Sequence, residues 1–211
     1  MIAEKLIMAT YSTVLTEKSS IYCSAPINMH KSFLDRQVDN LDDESIDKDI
    51  AFCKETIERN ISYANDLVNK IRAKVTCPVI NPVAMPEITP TNLFEIGDEE
   101  IISVDMSEIV DSDECNQSFA FWQDLIITYV REVVFANGWE YSYFCVSEFY
   151  LSQSHSIKCS DENFEPLDIS HGIKLIDSAI ATIKEKKGDF STRGQEFILD
   201  KIKRLETHRP I

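Results

Sequence analysis

Carboxylates are the most abundant reactive groups in this chain: 36 Asp and Glu against 21 Lys and Arg, a net charge of −15. The run DNLDDESIDKD, Asp39 to Asp49, holds six acids and one lysine. Such a run could bind a divalent cation, imitate nucleic acid, or begin a helix. A calcium loop needs a central Gly and a bidentate Glu at its twelfth position, and both are missing. Asp42, Asp43, Glu44 and Asp47 instead precede a long apolar periodicity. Acids there meet the unpaired N–H groups and positive dipole end of a helix.

A second set, Asp105, Asp111 and Asp113, could gather on Mg²⁺ or Mn²⁺, but no His accompanies it. Sulfur chemistry has two candidates. His155 and Cys159 stand four apart, a weak zinc pairing. Cys145 with His155 or His171 could form a thiol nucleophile and base, although a free Cys among aromatic residues more often fills core space. The five glycines form neither GxGxxG nor a Walker A loop, and neither GxSxG nor HExxH occurs. No cofactor is expected. The six cysteines are scattered without CxxC, as in reduced intracellular thiols.

The charge is unevenly placed. From Val75 to Val130 there is no Lys, Arg or His, and those residues carry eleven acids. Nine of them, Glu95, Asp98, Glu99, Glu100, Asp105, Glu108, Asp111, Asp113 and Glu114, form a candidate acidic face for a protein partner. A basic nucleic-acid-binding protein is one partner it would suit. Direct nucleic-acid binding and attachment to anionic membranes are disfavoured by the same charge. No apolar run reaches the ~20 residues of a membrane helix. The N-terminus lacks a basic leader and cleavage site, so a cytoplasmic location is expected. The 26 isoleucines against 11 alanines suggest an A+T-rich coding sequence of the kind common in phage and mobile DNA.

The elements that would position these groups follow from periodicity. Residues 2 to 15 fit helix or strand, and 17 to 31 read as loop. SFLD, Ser32 to Asp35, resembles a capping box for a short helix. Ile46, Ile50, Cys53, Ile57, Ile61, Ala64, Val68, Ile71 and Val75 step by three and four, predicting one helix over 44–75. Its face through Ile50, Ile57, Ile61, Val68 and Ile71 is a second candidate partner surface. Pro78, Pro82, Pro86 and Pro90 predict an extended strap returning along that helix. Short strands are expected at 93–96 and 100–105, and a buried helix over 119–138. WEYSYFCVSEFYLS alternates, predicting a strand with Trp139, Tyr141, Tyr143, Cys145, Phe149 and Leu151 on one face. Residues 153 to 166 read as loop. Two further helices, the first capped by Asp168 or Ser170 and the second by a Thr192–Gln195 capping box, make a C-terminal hairpin.

The expected fold is therefore α+β and predominantly helical. It has a long amphipathic helix, a Pro-rich extended strap, a small antiparallel sheet and a C-terminal helical hairpin. An N-terminal region over 1–92 and an α+β core over 93–211 divide it, or form one continuous domain. The expected function is a non-enzymatic protein-binding subunit or regulator, in a phage, mobile-element or host-defence complex, of unknown oligomeric state. The alternatives are an acidic DNA mimic and an enzyme with a carboxylate, metal or Cys site outside known motifs.

Overall fold

The computed structural model describes residues 2–27, 43–84, 113–187 and 192–208. Its centre is a four-stranded sheet in the order β2-β1-β3-β4, with β1 at Ser20–Ser24, β2 at Val79–Ile80, β3 at Val130–Phe135 and β4 at Lys158–Asp161. Every pairing is parallel. This overturns the expected small antiparallel sheet, and the fold is α/β. Parallel neighbours need a crossover, and each connection here contains a helix. Helix α2, Asp43–Arg72, joins β1 to β2. Helix α3, Asp113–Tyr129, precedes β3, and α4, Tyr143–Ser154, joins β3 to β4. Helix α1, Ile2–Val14, precedes the sheet, and α5, Ile169–Lys187, and α6, Arg193–His208, follow it.

The strands escaped periodicity for one shared reason. A parallel sheet is covered on both faces, so its strands lose the alternation that marks a half-exposed strand. All five residues of β1 are buried, inside a segment expected to be loop. Strand β3 begins at the residue after α3 ends, so helix and strand read as one apolar run to 138. Strand β4 lies where 153–166 was expected to be loop. The expected strand over 139–152 is instead a 3-10 turn, Trp139–Tyr141, leading into α4. Eight of the twelve α4 residues are buried. A helix buried on most sides can carry apolar residues at every second position, and Trp139, Tyr141, Tyr143, Cys145, Phe149 and Leu151 do so in a way that imitates a strand's period.

The proline strap begins as sheet. Val79 and Ile80 pair with β1, and the Ile21 N–H donates to the Pro78 carbonyl at 3.0 Å. Flanking prolines are compatible with β2 because it is an edge strand. Pro82–Ala84 then turn as a 3-10 helix. Residues 85–90 of the strap, the expected helix near 32–41 and the expected strands at 93–96 and 100–105 lie outside the described residues.

Alternate side chains of the sheet feed two cores. Ile21, Cys23, Val134 and Ala136 pack against Leu67, Val68 and Ile71 of α2. Tyr22, Val133 and Phe135 face the larger core, with Phe121, Trp122, Leu125 and Ile126 of α3, Val146 and Phe149 of α4, and Ile176, Ile198 and Ile202 of α5 and α6. The last two helices run antiparallel, joined by Lys203–Asp177 at 3.0 Å and Lys184–Glu196 at 2.5 Å. Among the described residues no helix is long and apolar enough to cross a membrane.

Candidate functional site

From β1 the chain goes to β2 on one side, then returns to β3 on the other. The reversal lies between β1 and β3. In open α/β sheets, ligands bind outside the carboxyl ends of the strands at such a point. Ser24 and Phe135 are the residues where β1 and β3 end there, paired in register. Beyond β3, Gly138 adopts φ 81, a left-handed turn that suits glycine, and directs the chain through the 3-10 turn into α4. Helix α4 therefore starts at the carboxyl edge of the sheet, and its sixth residue is Glu148.

Glu148 is a buried carboxylate, 8% exposed, set against β1. Its Oε1 accepts a hydrogen bond from the Tyr22 hydroxyl at 2.6 Å, and its Oε2 one from the Ser24 hydroxyl at 2.6 Å. Burial pushes its pKa up from 4.5 to about 7, while the Ser24 and Tyr22 hydrogen bonds pull it back down. No Lys, Arg or His among the described residues contributes to that shift. Burial and the adjacent Glu148 charge drive the Tyr22 phenol well above its ordinary value, so it stays a donor. The Cys23 thiol is pushed up to about 12, by burial first and Glu148 second.

The sulfur candidates are resolved differently. Cys145 lies in α4, one turn before Glu148, and is buried. Burial, then the Glu148 charge, raises its pKa, and nearby Ser24 and Ser142 hydroxyls oppose the rise only partly. It remains a thiol, unlike an activated nucleophile. His171 is exposed in the first turn of α5, where its backbone N–H donates to the Asp168 carboxylate at 2.7 Å. Asp168 thus caps α5. His155 is exposed at the end of α4, whereas Cys159 is buried in β4. Gln195, expected in a capping box with Thr192, donates its Nε2 to the Tyr141 carbonyl at 3.0 Å. Among the described residues no group of three or more His, Cys, Asp or Glu is arranged to hold a metal ion.

The candidate partner surfaces fare unevenly. Glu95, Asp98, Glu99, Glu100, Asp105, Glu108 and Asp111 lie outside the described residues, while Asp113 and Glu114 begin α3. On the α2 face, Val68 and Ile71 are buried in the chain's own core and Ile57 and Ile61 are half-buried. Ile50 lies in α2, and its side chain is outside the described set.

Sequence reasoning passed over Glu148 because the alternating reading of 139–152 turned it outward, away from the aromatic face. The available signal was a lone acid inside FCVSEFYL. Read as a helix, that segment places Glu148 on the buried side, three residues from Cys145 and Leu151. Compared with known proteins, the chain matches no family model, no curated protein and no solved structure.

Proposed function

We propose that the chain is a hydrolase that cleaves a glycosidic bond in a nucleotide-type ligand, with Glu148 as its catalytic carboxylate. The observation that carries this reading is a buried, doubly hydrogen-bonded carboxylate, with no neighbouring cation among the described residues, at the switch point of a parallel sheet. The sign of the charge narrows the chemistry. Acyl and phosphoryl transfer develop negative charge, which needs N–H donors, Lys, Arg or a metal to receive it. Glycosyl transfer develops positive charge on the sugar ring, and a carboxylate in a dry site stabilises it. The position favours a nucleotide, because the carboxyl edge at a switch point is where doubly wound sheets take dinucleotides.

The step is simple. The bond from the sugar's anomeric carbon to the base breaks, and its electron pair leaves with the base. Glu148 faces the resulting ring cation, then accepts the proton of the water that attacks the anomeric carbon. A carboxyl with a pKa of about 7 is well placed to take a proton near neutral pH. Among the described residues no second carboxyl stands beside Glu148 to protonate the leaving group. That favours a base that departs without protonation because it already carries positive charge, as the pyridinium ring of an oxidised nicotinamide dinucleotide does.

The test incubates the purified chain with an oxidised nicotinamide dinucleotide and, separately, with adenosine monophosphate, and measures free base by chromatography. Release of the pyridine base, with little release of adenine and loss of activity in Glu148→Gln, is the expected result. Equal turnover by a folded Glu148→Gln variant removes Glu148 from the mechanism, and no release from either compound overturns the proposal.

A further inference from the structure

Two hydroxyls of β1 hold Glu148, the reacting group of the glycosidic mechanism. The side chains of β1 alternate, so Tyr22 and Ser24 project from the same face, about 7 Å apart along the strand. They lie 126 and 124 residues before Glu148 in sequence and reach one carboxylate oxygen each. Two donors on one rigid strand restrain a carboxyl group in rotation as well as position. One donor would leave it free to turn.

Each donor is itself supported. The Tyr22 ring stands edge-on to Trp122 of α3, with centroids 6.0 Å apart and planes at 62°, and Phe121 packs at 4.9 Å against Trp122. Tyr22 is buried, so the phenol has no space in which to swing. On the other side, Ser24 is held at the end of β1, where its backbone carbonyl accepts a hydrogen bond from the Ala136 N–H just beyond β3 at 2.8 Å. The titratable groups coupled to Glu148 are thus Tyr22 and Cys23 from β1 and Cys145 from α4, all neutral near pH 7.

We infer that Tyr22 and Ser24 are positioning residues, a two-point cradle on β1 that holds the Glu148 carboxylate in one plane and supplies the hydrogen bonds its anion requires. The inference rests on the glycosidic reading for its catalytic consequence, but the cradle itself can be measured without turnover. A carboxyl whose pKa is higher folded than unfolded makes stability fall as pH rises from the unfolded value, 4.5, to the folded value, about 7. Both hydroxyls hold the folded value down, so removing either extends that fall to higher pH.

The experiment follows urea unfolding from pH 5 to 9 for the wild type, Ser24→Ala, Tyr22→Phe, Ser24→Thr and Glu148→Gln, with dinucleotide hydrolysis measured on the same proteins. In Ser24→Ala and Tyr22→Phe the pH-dependent fall in stability should reach higher pH than in the wild type. Ser24→Thr, which keeps the hydroxyl, should restore it, and Glu148→Gln should abolish it. Turnover in Ser24→Ala and Tyr22→Phe should drop about tenfold, the effect of losing one charge-assisted hydrogen bond. KM should stay within about twofold, because the cradle acts on the reacting group and not on substrate binding. Unchanged pH profiles in both hydroxyl variants overturn the cradle. A shifted profile with wild-type turnover overturns its catalytic role. A shifted profile with no turnover in any protein supports the cradle and removes the glycosidic reading.

Discussion

Two glutamates on opposite faces of the sheet show what a serine hydroxyl alone cannot decide. Glu132 on β3 accepts from Ser160 of β4 at 2.6 Å, as Glu148 accepts from Ser24 of β1 at 2.6 Å. The second partners differ. Glu132 meets the Lys158 ammonium at 2.8 Å, with its side chain 13% exposed and that of Lys158 57% exposed. Glu148 meets the Tyr22 phenol, is 8% exposed, and has no cation contributing to its pKa among the described residues. Glu132 is paired with a cation, whereas Glu148 is buried against two hydroxyls. Desolvation without a counter-charge is what brings a carboxyl into the range where protons move near neutral pH.

This contrast can be broken most directly by exchanging each carboxyl for an amide. Glu148→Gln should lower base release by about 10²- to 10⁴-fold, the usual worth of a positioned acid or base. Glu132→Gln should change it less than about twofold. Chromatographic initial rates on both proteins decide the point, and equal losses would erase the distinction.

The next effect concerns stability and pH. Glu148 destabilises the folded state as it ionises, so the advantage of Glu148→Gln over the wild type should grow with rising pH. The growth begins near 4.5, ends above about 7, and totals on the order of 3 kcal/mol. Chemical denaturation at pH 5 and pH 8 measures it. A difference that shrinks towards pH 8 would mean that the anion is the stabilised form.

A third change tests the packing that holds α4. Gly172 in α5 lies so close to Phe149 that an added Cβ would stand 2.3 Å from the ring's Cζ. That ring is fully buried between Phe135 at 5.7 Å and Trp139 at 4.8 Å, so it has no room to yield. Gly172→Ala should cost roughly 1–3 kcal/mol by overpacking, with turnover falling because Phe149 adjoins Glu148. Thermal unfolding with parallel assays checks this, and an unchanged Tm would show that the helices part easily.

The smallest expected effect sharpens the comparison from the other side. Lys158→Ala removes the cation from Glu132, at a cost of about 0.2–1 kcal/mol because the pair is partly solvated. Urea titration at low and high salt should show the difference shrinking as salt screens it.

How far these features were legible depends on how local their causes are. The stepping of Ile57, Ile61, Ala64, Val68 and Ile71 marks α2 because a helix repeats its buried face every few residues. The same logic marks α5 and α6 as a hairpin. It fails at β3, where VREVVF continues an apolar run out of α3, and at α4, whose burial on most sides removes the helical stripe. It fails for the sheet as a whole, because short buried strands carry no sign of their direction. Glu148 was hidden with α4, since a carboxylate assigned to the wrong face looks solvated.

By itself the sequence determined the strong acidity, the lack of glycine-rich phosphate loops, the long helix and the terminal hairpin. Each is a matter of composition or of contacts within a few turns. Only the tertiary structure decided that the sheet is parallel, that the chain reverses between β1 and β3, and that Glu148 lies between two hydroxyls. Those facts depend on pairing residues far apart in the chain, more than a hundred positions apart for β1 with β3 and for Glu148 with its two donors. No periodicity encodes such pairings, because their energy comes from burial that exists only once the helices have closed over the sheet.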